Sequence, residues 1–480
     1  MVSEAYMTIN GNNYNRYILL FLSAIYFIIW AQFAGSFNPI RPDSIGYLNF
    51  FEGTDDGANR LSGYPIFLLL LSNLKFKLIH IGYIQLGVFV FALNFLLSSL
   101  LKFGVSKLIV ALLFAGLLIN PFFNQFHFTM LTESLSFSLL LMFLGLTLSL
   151  YQRITNIKVI MLGLIIGLSA ILKPVSLIFF PIGLIFLISL LWIFETPSFK
   201  KTILCLVLLC SPFLIILSAE KLVFYSAHDE KGSQFAEHFY GKSIMSTTYT
   251  NFKILDDGSP ESEMLQLLDA QYLPDQEYLE SLKNVSEKLA IYSLLENEAY
   301  KKPDLESQLA LIALNQGLDP AEFKKSIIFY SLKNNPTVFF RMTLRHYFSF
   351  FNVYPSGEYF NENGGPPHLT DKAINLSPSV SRTIIHYSFL IFGAIFYLCS
   401  ILILMKFLHL IFQNNLLSFL KVNPLFFLTL LLVIVIHSIH LSHAFFGVYV
   451  PRYLMFSYPY IILFELITIY QILKFKKIVS

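Results

Sequence analysis

The sequence predicts an all-α polytopic membrane protein. Three observations carry that expectation: a greasy composition, a series of long apolar runs, and five groups of basic residues in alternate connections. Of 480 residues 55% are hydrophobic and 13% charged, and mean hydropathy is +0.64. Soluble domains carry about 25% charged residues. A net charge of +3, with no Lys/Arg block, argues against a nucleic-acid partner. Cys205, Cys210 and Cys399 all fall in apolar stretches and form neither a disulfide framework nor a metal-ligand spacing.

Runs of roughly 18 or more apolar residues are the candidate spans. They lie near 17–35, 81–101, 105–122, 131–150, 158–173, 175–194, 202–224, 383–406, 424–442 and 453–472, about ten in all. The first run is longer than a signal-peptide core and lacks a good A-x-A site, so it reads as an uncleaved span. "YPIFLLLLSNLKF" (64–76) is shorter and suits an interfacial helix. Lys102 with Lys107, Arg153 with Lys158, Lys200 with Lys201, Lys406 with Lys421, and the closing Lys474, Lys476 and Lys477 occupy alternate connections. With ten spans and a cytoplasmic N-terminus, all five groups fall inside, as the positive-inside rule expects. Both termini are then cytoplasmic, and the unusual polar residues gather on the other face.

The organisation expected is an N-terminal membrane module (1–224) with a first extracytoplasmic loop (36–80), a small, mainly helical extracytoplasmic segment (225–382), and C-terminal membrane helices (383–480). Within the middle segment 260–300 and 304–318 have helical patterns. Asp319-Pro320 with Glu322 marks a helix start, and Pro336 should end that helix.

Several polar residues near the membrane allow two readings. Asp43 in "RPDSIGYLNFF" is either a general base or cation ligand, or the N-cap of a short helix. Glu133, opening the fourth span, is either a cavity acid or a first-turn acid favoured by the helix dipole. His127 is either an interfacial histidine or a ligand, and "EGTDDGANR" (52–60) suits an ordinary turn. Lys173 in "ILKPVSLIFFPI" and Arg452 in "YVPRYLMF" can snorkel or bind phosphate, and Arg341 and Arg345 are weaker candidates on one amphipathic face. His437, His440 and His443 share a helical spacing that fits metal ligands or packing. "AEHFYGKS" (236–243) lacks the first glycine of a phosphate loop.

Taken in order, "RPDSIGYLNFF", "RLSGYPIFLLLL", "LTESLSFSLLL", "LKPVSLIFFPI", "GSQFAEHFYGKSIM", "SLKNNPTVFFRMTLRHY" and "PRYLMFSYPYIIL" resemble the GT-C superfamily of membrane glycosyltransferases. The likeness is nearest to the branch using polyprenyl- or dolichyl-phosphate sugars, which includes protein O-mannosyltransferases and lipid A aminoarabinose transferases. The resemblance covers nearly the whole chain. It implies a GT-C-like arrangement of helices and an inverting transfer from a polyprenyl-phosphate-linked sugar to a hydroxyl of a glycan, lipid or protein acceptor. By motif position it implies Asp43 and Glu133 as catalytic acids and Lys173 and Arg452, with Arg341 and Arg345, as phosphate-binding cations. Tyr47, Tyr64 and His127 would line the cavity. Many members carry paired acids in the first loop. Here only Asp43 is well placed, so no cofactor or metal ligand is assigned and a divalent cation stays open. Low Trp with high Phe, Ile, Lys and Asn suggests an AT-rich genome, hence a bacterial inner membrane. The competing expectations are an O-antigen-type polymerase or ligase, and a non-enzymatic transporter, which would show inverted halves or broken helices at the midplane.

Overall fold

The computed structural model describes residues 2–37, 39–53, 60–194, 198–228, 254–267, 269–270, 303–351, 380–446 and 452–479. Two compact units form: one from 1–232, 399–437 and 455–480, the other from 233–398 and 438–454. Every described element is helical or a turn.

The first unit holds α1 (Val2–Gln32), α2 (Pro42–Leu48), α3 (Gly63–Asn73), α4 (Leu78–Phe103), α5 (Lys107–Leu118), α6 (Glu133–Gln152), α7 (Asn156–Leu172), α8 (Phe179–Phe194) and α9 (Phe199–His228). Seven stretches among the described residues are long and apolar enough to cross a membrane: Leu78–Phe103, Glu133–Gln152, Pro174–Phe194, Phe199–His228, Tyr387–Phe412, Pro424–Phe445 and Leu454–Leu473. The other three expected spans are shorter apolar helices, Tyr17–Gln32, Lys107–Leu118 and Asn156–Leu172.

The run at 105–122 shows why a continuous apolar stretch did not give a continuous helix. Ser106 caps α5, its hydroxyl accepting from Ile109 N, but twelve residues reach only ~18 Å against a hydrocarbon core of ~30 Å. Asn120 then caps a one-turn helix, Pro121–Asn124, by accepting from Phe123 N. A 3-10 turn, Gln125–Phe128, follows. These pieces together return the chain along α4, because α4 and α6 run in the same direction. Phe89, midway along α4, meets His127, which precedes α6 (ring centroids 4.4 Å), and Phe103 meets Tyr151 where both helices finish (5.0 Å).

The bundle therefore has two distinct ends. Tyr151 marks one, with Phe194 (4.8 Å), Phe427 (4.6 Å) and the Leu420 carbonyl (2.9 Å) around it. The basic connections Lys102/Lys107 and Arg153/Lys158 adjoin this end, and Lys158 Nζ donates to the carbonyls of Ser149 and Arg153. The loop after α1, the start of α6 and the end of α7 lie at the other end. Two glycines let α7 and α9 approach closely. A Cβ at Gly163 would strike the Leu209 carbonyl, and one at Gly167 the Ile216 side chain, the small-xxx-small packing of membrane helices.

The second unit contributes α10 (Pro303–Asn315), α11 (Pro320–Asn334) and α12 (Pro336–Ser349). Asp319 caps α11 by accepting from Glu322 N, and Pro336 separates α11 from α12, as expected. The chain ends with α13 (Val380–Phe412), α14 (Leu416–Val422), α15 (Pro424–Phe446) and α16 (Arg452–Val479). Within the second unit His440 stacks on Phe350 (4.3 Å) and His443 Nδ1 donates to the Ile439 carbonyl (2.9 Å), which favours the packing reading of these histidines. The motif at 236–243 and most of the helical pattern at 260–300 lie outside the described residues.

Candidate active site

Asp43 is not the cap of α2. Arg41 holds the N-cap position, its N–H donating to Ser44 Oγ at 2.9 Å, and Asp43 follows in the first turn. Pro42 pre-sets φ for that turn, and the carboxylate sits where the helix dipole favours negative charge. Ser44 Oγ also donates to the Met130 carbonyl (2.9 Å), while Met130 N donates to the Pro39 carbonyl (2.8 Å). The first loop is thereby tied to the strand of chain that leads into α6.

With the cap relieved of that duty, the Asp43 side chain turns to Arg60, whose Nη2 donates to Oδ1 at 2.8 Å. Arg60 also stands over the Tyr47 ring at 5.2 Å. The Tyr47 ring meets Tyr64 edge-on at 5.0 Å, and its hydroxyl bonds the Thr132 side chain. Burial pushes the Tyr47 phenol well up from its ordinary value; Arg60 pulls it down, while Glu133 and Asp43 raise it further. Asp43, Arg60, Tyr47 and Glu133 thus share one electrostatic neighbourhood.

Glu133 opens α6 behind the N-cap Thr132, and Lys173 closes α7. They meet as an ion pair, Nζ to Oε1 at 3.3 Å, with side chains only 11% and 5% exposed for Lys173 and Glu133. Lys173 also lies over Phe456 at 5.2 Å. Such a pair is costly to desolvate and holds only because each charge has its partner.

Beneath this layer Tyr64, Leu68, Leu71, Ile81, Met130 and Leu135 form a core that Tyr47 and Leu172 join. Gly63 makes the packing possible, since a Cβ there would stand 2.5 Å from the Ile171 carbonyl oxygen. Tyr64 OH donates to Gln85 Oε1 (3.1 Å), and Gln85 Nε2 donates to the carbonyls of His127 and Thr129, both at 3.0 Å. His127 is fully buried, with Nδ1 bonded to Ser134 Oγ at 2.8 Å. Burial lowers it to about 3, so it serves this network as a neutral ring.

The structure brings together Asp43, Glu133, Lys173, Tyr47 and Tyr64, with His127 in the supporting shell. Arg341, exposed, and Arg345, half-buried, belong to the second unit. The side chain of Arg452 lies outside the described residues. Sequence reasoning missed Arg60, taken as part of a turn, and Gln85. It also missed Glu220 of α9, whose Oε1 accepts from Ser62 N at 3.4 Å and so steadies the segment between Arg60 and Gly63. A polar residue interrupting an apolar run was the available signal for Gln85 and Glu220. Among the described residues no group of three His, Cys, Asp or Glu side chains could hold a metal ion.

No family model, curated protein or solved structure matches this chain.

Proposed function

We propose that the chain is an integral-membrane glycosyltransferase of GT-C type, moving a sugar from a polyprenyl-phosphate donor to an acceptor hydroxyl. In this reading the chain crosses a bacterial inner membrane ten times with both termini cytoplasmic, and the Asp43 end faces outward. The single observation that carries it is the neighbourhood of Tyr47, in which a half-exposed carboxylate and a buried acid–cation pair meet at the bundle end remote from the basic connections.

Asp43, oriented by Arg60, takes the proton of the acceptor hydroxyl. The acceptor oxygen bonds to sugar C1 as the C1–O bond to phosphate breaks, inverting the anomeric centre. The electron pair leaves with the lipid phosphate. Lys173 supplies the cation for that growing negative charge in this reading, so it stabilises the transition state more than the ground state. Glu133 then acts chiefly by holding the Lys173 ammonium in place. Arg452 is assigned a phosphate-binding role from the resemblance alone. The apolar helices keep the polyprenyl tail in lipid while the head group reaches the interface.

Mass spectrometry of lipid co-purifying with the protein tests the donor class. An isoprenoid phosphate, bare or glycosylated, is the expected species, released by Lys173→Met. Co-purification of bulk phospholipid alone, with no retention of added polyprenyl-phosphate sugar, would contradict the assignment.

A further inference from the structure

The middle of the bundle holds an acid that the proposed reaction leaves unused. Glu465 is the twelfth of the twenty residues in the apolar stretch Leu454–Leu473 of α16. On the site side of it Phe456, which meets Lys173, is nine residues away, or ~13 Å along the helix axis. On the other side Gln471, which donates to Thr429 Oγ1 of α15 (3.4 Å), is six residues away, or ~9 Å. Glu465 is 8% exposed, and the residues around it in the helix, Leu463, Phe464 and Ile467, are fully buried. Its Oε1 is buried with no hydrogen-bond partner among the described residues.

Two other helices bring polar groups to this depth from their stretches in the same unit, 399–412 and 424–437. α13 places Cys399 within electrostatic reach of Glu465. The next residue, Ser400, is 1% exposed and its Oγ likewise has no partner among the described residues. α15 runs antiparallel to α16, so the Thr429–Gln471 contact sets their register. Six residues along each helix bring Val435 level with Glu465 and put His437 within one turn. Tyr460, on the preceding turn of α16, donates to the Leu140 carbonyl. Among the described residues, Cys399, His437 and Tyr460 are titratable groups within about a turn and a half of this layer. Cys399, His437 and Glu465 do not form a metal-ligand group.

An ionised carboxylate at mid-bilayer, with no cation beside it, costs several kcal/mol. A neutral carboxylic acid avoids that cost and adds a hydrogen-bond donor to a layer that holds unsatisfied acceptors. We propose that Glu465 is a proton-binding site at the centre of the membrane bundle, carried as the neutral acid at neutral pH, with Cys399 of α13 in its neighbourhood. The site is independent of the glycosyltransfer reading.

Infrared difference spectroscopy of wild type against Glu465→Gln, both in lipid at neutral pH, tests the claim, since Gln is the isostere of the protonated acid. The expected result is a protonated-carboxyl C=O band in wild type that the variant lacks. Coincident spectra in that region would overturn the proposal. Should the variant fail to fold, the wild-type protein decides the matter alone, using a lipid-soluble carbodiimide. The acid proton passes to a carbodiimide nitrogen as the carboxyl oxygen bonds to the central carbon. The O-acylisourea then rearranges to a stable N-acylurea without a leaving group. An adduct mapped to Glu465 at neutral pH supports the site, and absence of that adduct overturns it.

Discussion

The two ion pairs at the site end of the bundle differ in depth, and the difference separates their roles. Asp43–Arg60 is short, at 2.8 Å, but its side chains are 32% and 28% exposed, whereas Glu133–Lys173 is longer, at 3.3 Å, and almost enclosed. A half-exposed pair loses little when opened, because water replaces the partner. An enclosed pair cannot be opened without stranding a charge. Asp43 is thus the acid open to solvent, while Glu133 is enclosed with its cation. In the proposed reaction the first pair supplies the reactive carboxylate and the second a scaffold.

On stability, the largest effect should come from splitting the enclosed pair. Lys173→Met, or Glu133→Leu, should cost about 3–5 kcal/mol by denaturation in detergent, and the double variant should recover most of that loss. Equal losses in single and double variants would break the comparison. Gly63→Ala should cost about 1–3 kcal/mol, because the new methyl meets backbone rather than a side chain that can turn away. Its readout is a lower melting temperature with the Tyr47–Tyr64 contact loosened, seen as altered tyrosine fluorescence.

His127 supplies a pH test. The folded ring titrates at about 3 and the unfolded one near 6.5, so as pH falls the unfolded chain takes the proton first. Stability should therefore decline as pH drops from 6.5 towards 3, by at most ~1.4 kcal/mol per pH unit. His127→Gln should flatten that slope even if it lowers stability overall. The smallest effect is expected at the half-exposed pair, where Arg60→Ala should change stability by about 1 kcal/mol or less. A loss as large as that at Lys173 would show the two pairs to be alike.

Much of this arrangement was legible in the residues. The length of the apolar runs and the alternation of basic connections placed Asp43, Glu133 and Lys173 at one end, since charge and hydrocarbon length are properties that sequence displays directly. What escaped was tertiary. Asp43 looked like a cap because Pro-Asp-Ser carries that signature, yet Arg41 took the position once Ser44 bonded back to it. Arg60 looked like the end of a turn because its partner is seventeen residues away. The run at 105–122 looked like one span, although Asn120-Pro121 restarts the helix and splits it. Glu220 and Gln85 were hidden inside apolar stretches, where a lone polar residue gives no sign of which backbone group it will meet.

The central claim is that Asp43 removes the acceptor proton, and its most direct test is the transfer rate of Asp43→Asn with an identified polyprenyl-phosphate sugar donor. The variant keeps the shape of the side chain and loses a pair of small structural weight, so it should insert and fold as wild type does. The account predicts a transfer rate reduced by roughly 10²- to 10⁴-fold with donor binding retained. A folded Asp43→Asn protein that transfers sugar at a near-normal rate would contradict it.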